Sequence, residues 1–209
     1  MKRLLAIVII LGIIAYVTVQ VIKDRRFNSS GDYDYKLIAP IDTAFYDPGV
    51  LSEYYATALE VGTYGRSVWR THMYDVRQPE EGNEEEQLRA KYYNSLIAKA
   101  RMLERKLVIS KGYRDQGYST EEIKLLMEKG WTPEDLTLYE KSYMIGLSRG
   151  SNGSAVWELQ KMLNTRGDSI PEDGLFNLIT TNRLKEFQSQ NDLFPSGEVD
   201  KNTLRALLK

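Results

Sequence analysis

The sequence predicts an all-α protein built as a single N-terminal transmembrane helix, a helical middle domain and a three-helix C-terminal bundle. Three observations lead there. Residues Leu4 to Ile22 run without a charge, apolar residues across the middle recur at spacings of three and four, and one turn-helix spacing occurs twice near the end. With 209 residues, 42% of them hydrophobic and 27% charged, the chain has the length and composition of one to two folded domains.

The first element is the apolar run. Its nineteen residues are rich in Ile, Val and Leu and are flanked by Lys2 and Arg3 before and Lys23, Arg25 and Arg26 after. At about 1.5 Å per residue such a helix spans the roughly 30 Å hydrocarbon core of a bilayer. A cleaved signal peptide has a shorter apolar core and a small-x-small cleavage site, and none lies near Ile22. The chain has no cysteine for a lipid anchor. Residues 1–26 therefore read as an uncleaved signal anchor. The flanking charges are too similar for the positive-inside rule to choose an orientation.

Residues 27–34 are small, polar and unpatterned, which predicts a linker. Beyond it the composition changes. Thirteen of the fourteen tyrosines fall between Tyr33 and Tyr143 and none lies after residue 146, so residues 35–146 and 147–209 read as two folded units. In the first, Asp47-Pro48 is an N-cap followed by proline at the first helical position, and Leu51, Tyr54, Tyr55, Ala58, Gly62, Gly65, Val68 and Trp69 fall on one face. Ala58, Gly62 and Gly65 leave part of that face nearly bare, which predicts close packing against the next helix. That helix opens at Glu84-Glu85-Glu86, a solvated acidic start. It carries the stripe Leu88, Tyr92, Leu96, Leu103 and Leu107, widened by Tyr93, Ile97 and Ala100, and ends at Gly112. Ser119 with Glu122 makes a capping box for a short helix stopped at Gly130; Thr132-Pro133 with Asp135 starts another that runs to about Ile145.

The C-terminal spacing is the most specific signal. Asp173-Gly174 is followed by Phe176, Thr180 and Leu184, and Ser196-Gly197 by Val199, Thr203 and Leu207, with six residues from Gly to Thr and four from Thr to Leu both times. A duplicated unit follows, in which Gly makes a turn, Thr opens a helix and Leu points inward. Ahead of it, after the glycines Gly150 and Gly153, the apolar set Val156, Leu159-Gln160 and Leu163 marks one further helix face. This series, continued by Phe187-Gln188 and Leu193, resembles the peptidoglycan-binding domain family over about the last 60 residues. The resemblance implies a three-helix bundle with a duplicated half, a location outside the cytoplasmic membrane and hence an N-terminus inside. It also implies peptidoglycan, glycan or stem peptide, as partner. Departures are Asn177 and Asp200 where the family usually has Gly, both tolerant of the left-handed conformation, Ser196 for Asp, and Arg183 where a small residue is usual. The binding residues expected from the first turn and its helix are Asp173, Asn177, Thr180, Arg183 and Gln188. Arg183 suits a stem-peptide carboxylate, while Asp173 and Thr180 also fit a turn-and-cap role and Gln188 a bond across the bundle.

Catalysis is tested by the residue inventory. One His and no Cys exclude zinc amidases and cysteine transpeptidases, and His72 lacks a nucleophile elbow for a serine triad. Two carboxylates for glycan cleavage exist in any chain with 29 Asp and Glu, so their presence is no evidence. No phosphate loop, dinucleotide motif or metal spacing appears, so no cofactor is expected. Lys and Arg against Asp and Glu number five to one over residues 1–29, fifteen to twenty over 30–146 and eight to eight over 147–209, so nucleic acid is not an expected partner. These readings predict a non-catalytic envelope protein that tethers a membrane assembly to the cell wall, with the middle domain docking a protein partner. Two readings stay open beside it. One is a structural subunit of an envelope-spanning complex whose C-terminal module contacts protein; the other is an accessory that recruits a wall hydrolase.

Overall fold

The computed structural model describes residues 2–27, 32–167 and 169–209. Residues 28–31 of the expected linker lie outside it, as do the side chains of the basic flank residues Lys2, Arg3, Arg25 and Arg26. Among the described residues the chain is all-α, without a strand. The helices are α1 Lys2–Phe27, α2 Pro48–His72, α3 Glu84–Asp115, α4 Thr120–Lys129, α5 Pro133–Glu140, α6 Ser154–Asn164, α7 Leu178–Gln190 and α8 Lys201–Leu207, with a 3₁₀ turn at Ser142–Met144. The chain forms two compact units that divide within α4, between Ile123 and Lys124.

In the first unit, α1 carries an 18-residue span, Ile7–Asp24, of mean hydropathy 2.0, and none of that span is buried against the rest of the chain. It is long and apolar enough to cross a membrane.

The α2 start is local chemistry. Asp47 Oδ1 accepts from the N–H of Gly49 at 2.9 Å and of Val50 at 3.4 Å, and Pro48 occupies the first turn, where an N–H has no partner to lose. The buried face of α2 is Tyr54, Thr57, Val61, Gly62, Gly65 and Val68; Tyr55, expected inside, is half exposed. The glycine face does meet a close neighbour, but not a helix. A Cβ on Gly65 would come within 2.7 Å of the Tyr33 ring and one on Gly62 within 2.0 Å of Asp34 Oδ1, so the extended segment leading into the unit lies there.

That segment is also fastened to α3. Buried Glu104 accepts from the Tyr35 hydroxyl and from the N–H of Ile38 at 2.7 Å and Ala39 at 3.3 Å. Buried Asp42 accepts from Ser110 Oγ at 2.6 Å, Ala44 N–H at 3.0 Å and Arg114 Nε at 3.0 Å. Burial raises the cost of the Asp42 charge, yet these three donors outweigh it and hold the carboxyl below its usual range.

α3 departs from the expected helix in three ways. The helix runs through Gly112 to Asp115, because Ser110 and Arg114 in its last turns are bonded to Asp42. Leu88 and Tyr92 are exposed while Tyr93, Leu96, Ala100, Leu103 and Leu107 are buried, so the stripe is rotated from the expected one. Glu86 is buried, not solvated, and accepts from Asp75 N–H at 3.1 Å and Asn83 Nδ2 at 3.4 Å.

In the second unit the core is built from Met144, Val156, Leu159, Leu163, Phe176, Leu184, Phe187, Val199, Leu204 and Leu207, with Leu138 of α5 joining it. Both expected capping boxes form, the one at Ser119 in the first unit and the one at Thr132 in the second. Glu122 Oε2 accepts from Ser119 N–H at 2.6 Å, and Asp135 Oδ2 from Thr132 N–H at 3.2 Å, each returned by the hydroxyl of its partner. The second of these helices ends at Glu140, short of Ile145, and passes into the 3₁₀ turn that drops Met144 into the core.

Candidate functional site

The duplicated half is organised around two buried glutamines. Gln160 on α6 donates from Nε2 to Asp173 Oδ1 at 2.9 Å, the Leu175 carbonyl at 3.1 Å and Thr180 Oγ1 at 3.1 Å, while its Oε1 accepts from Gly174 N–H at 2.8 Å. Gln188 on α7 repeats the pattern one unit later. Its Nε2 donates to Ser196 Oγ at 3.2 Å, the Glu198 carbonyl at 2.9 Å and Thr203 Oγ1 at 3.0 Å, and its Oε1 accepts from Gly197 N–H at 2.9 Å. Each amide finds partners for both its nitrogen and its oxygen around one tight turn, which is why both can be fully buried.

The turns are tied to the preceding chain in the same duplicated way. Phe176 exchanges backbone bonds with Gly150 and Ser151, both at 2.9 Å, and Val199 with Gly146 at 2.8 Å and Leu147 at 2.9 Å. Gly174 and Gly197 have φ of 70° and 76°, the left-handed region that glycine enters without strain.

The five expected binding residues are brought to this half, but the fold uses their polar groups. Asp173 accepts from Gln160 and from Leu175 N–H, and these bonds, the Gln160 amide first, hold its carboxyl below the usual range. Asn177 is not in the left-handed conformation. With φ of −94° it is the N-cap of α7, its Oδ1 accepting from Ile179 and Thr180, and Asp200 with φ of −91° caps α8 by accepting from Thr203. Thr180 therefore does not open the helix; it is buried and receives Gln160. Gln188 bonds across the bundle as described.

Arg183 is only 4% exposed, and its Nη2 donates to the carbonyl of Arg166 at 2.9 Å and lies 3.5 Å from that of Leu163. These are carbonyls at the C-terminal end of α6, where a cation is favoured by the helix dipole. The guanidinium is buried against these carbonyls, with Nε lacking a hydrogen-bond partner among the described residues, and is not offered to a stem-peptide carboxylate. Glu186 is 3.6 Å from its Nη1.

What the unit exposes lies elsewhere. On the turn side of α6 and α7, Trp157, Leu175, Leu178 and Ile179 are each about half exposed, and Lys161 Nζ sits 4.4 Å above the Trp157 ring. The equivalents of the last three in the second repeat are Glu198, Lys201 and Asn202, so the bundle does not require apolar residues there. A second set, led by partly buried Trp131 and exposed Tyr139, precedes the repeats. Trp131 and Tyr139, rings 5.1 Å apart and tilted by 48°, wall a groove of about 270 Å³ with Asp135, Ser142, Ile145 and Lys201. Neither set was singled out from sequence. The Gln160 and Gln188 correspondence was legible there, since each precedes its turn glycine within a repeated order of residues.

Among the described residues no group of three or more His, Cys, Asp or Glu side chains stands ready to hold a metal ion. His72, in the last turn of α2, stacks on Tyr74 at 5.4 Å. No curated protein and no solved structure matches the chain. Residues 152–207, the segment that holds both glutamine-bonded turns, match the family model of the peptidoglycan-binding domain.

Proposed function

We propose that this protein is a membrane-anchored, non-catalytic tether between a membrane assembly and the peptidoglycan wall. One observation carries the reading. The same chain holds an apolar helix with no part of Ile7–Asp24 buried and a module that matches a peptidoglycan-binding family. The match implies an extracytoplasmic, wall-associated location for the C-terminal unit. In this reading α1 stays attached with its N-terminus inside, the unit built on α2 and α3 docks a protein of the assembly, and the C-terminal unit engages the wall.

A chain fixed in the membrane turns wall contact into an intramolecular event. Even a weak module is then held near its ligand at high effective concentration, so modest affinity serves a tether well.

The test is sedimentation of the detergent-solubilised full chain with purified sacculi, together with fractionation of the cells that make it. The chain is expected in the membrane fraction, released by detergent and not by salt, and in the pellet with sacculi. A chain that leaves the membrane in buffer alone refutes the anchor, and one that stays in the supernatant with sacculi at low salt refutes wall binding.

A further inference from the structure

We infer that the groove between Trp131, Tyr139, Ser142 and Lys201 is a carbohydrate site that receives a sugar ring of the wall glycan. This rests on the wall-binding reading above. It places the glycan contact on residues that precede the family-matched segment and on the start of α8.

The groove holds polar groups that remain unspent. Thr180, Arg183 and Gln188 are buried and bond within the bundle, and Asp173 and Asn177 each spend Oδ1 on a turn or a helix start, so a ligand there meets few free groups. In the groove the hydroxyls of Tyr139 and Ser142 and the ammonium of Lys201 make no hydrogen bond among the described residues, and all three side chains are exposed. Asp135 uses Oδ2 on Thr132 and leaves Oδ1 without a hydrogen bond among the described residues. A sugar needs such a set, because each hydroxyl and the acetamido group seek donors and acceptors at fixed positions.

The walls of the groove are aromatic and apolar as well as polar. The C–H face of a pyranose carries partial positive charge and packs on the negative face of an aromatic ring. Trp131 and Tyr139 offer two rings tilted by 48° at 5.1 Å, and Ile145 and Lys201 also line the groove. At about 270 Å³ the groove is small for a ligand pocket, which favours one ring over a peptide in extended form. Thr132, bonding first through its backbone N–H and then through its hydroxyl, holds the Asp135 carboxyl below its usual range. It therefore remains an acceptor for a sugar hydroxyl at neutral pH.

The position is also secured. The capping box at Thr132 fixes Asp135, the 3₁₀ turn fixes Ser142, and Asp200 caps the helix whose first residue is Lys201. Three separate local structures thus present the groove on rigid backbone.

The experiment compares the detergent-solubilised full chain with its Ser142→Trp, Tyr139→Ser and Lys201→Glu variants in sacculus sedimentation, with melting followed by circular dichroism. All three positions are exposed, and a glutamate at the first residue of α8 suits the helix dipole, so the variants are expected to melt as the parent does. Each variant is expected to bind sacculi about tenfold more weakly. Glycan strands stripped of peptide by an amidase are expected to compete, and free stem peptides are not. Equal sedimentation of the parent and all variants overturns the groove while leaving wall binding intact. Competition by stem peptide alone overturns the sugar assignment. Failure of the parent itself to sediment overturns wall binding and this site with it.

Discussion

At the scale of single residues, the buried glutamines carry the sharpest expectations. Removing the Gln160 or Gln188 side chain leaves a buried glycine N–H without its partner and takes a donor from a buried threonine hydroxyl, and an unsatisfied buried group costs about 1 to 3 kcal/mol. Gln160→Ala and Gln188→Ala should therefore each destabilise the C-terminal unit by about 3 kcal/mol or more, read as a lowered melting temperature or denaturant midpoint. Phe176 and Phe187 are both buried in the same core, and Phe176→Ala or Phe187→Ala should cost about 3 to 5 kcal/mol by the same measurement. Arg183→Ala belongs with them, not with a binding defect. It strips the helix-end carbonyls of Leu163 and Arg166 of a donor and should lower stability, and an unchanged melt with lost sacculus binding would contradict its placement.

At the scale of elements, the expectations concern how turns and straps are held. The Asp173 and Asp200 carboxyls lie below their usual range because the folded turns bond them, Asp173 through the Gln160 amide first and Asp200 through Thr203 N–H first. A carboxyl depressed by folding stabilises the fold above its unfolded pKa, 3.8 for Asp, and that stabilisation is lost as pH falls through the folded value. Melting temperature of the C-terminal unit should thus be level from pH 7 to about 5 and decline below about 4, with Asp173→Asn flattening part of the decline. In the first unit, Gly65→Ala would place a methyl group 2.7 Å from the Tyr33 ring. Overpacking of this kind costs about 1 to 3 kcal/mol, and the loss should show in the melt of the first unit and spare the second.

At the scale of the whole molecule, the prediction follows from having an apolar helix and a wall module on one chain. Deleting residues 1–26 should release the protein from the membrane fraction while leaving its affinity for isolated sacculi unchanged. Retention of the protein at the wall in cells should drop by much more, since the effective concentration supplied by the anchor is gone. Equal retention with and without α1 would show that the wall contact alone holds the protein in place.

The sequence by itself determined the number and type of elements. It placed the apolar helix, the caps at Asp47 and Thr132, the capping box at Ser119 and the duplicated turns, because all of these are set by residues within a few positions of one another. It also carried the repeated order that pairs Gln160 with Gln188. In the first unit, only the tertiary structure decided which face of α3 turns inward and what covers the glycines of α2. Tyr33 covers Gly65, Glu104 holds Ile38 and Asp42 holds Arg114 across separations that no helical period reports, so the buried stripe of α3 turned from Leu88 and Tyr92 toward Tyr93 and its run passed Gly112. The same holds for the candidate site. Arg183 reads as a free guanidinium in sequence and is buried because α6 ends with its carbonyls beside it, while Trp131, Tyr139 and Lys201 meet only once the bundle has closed.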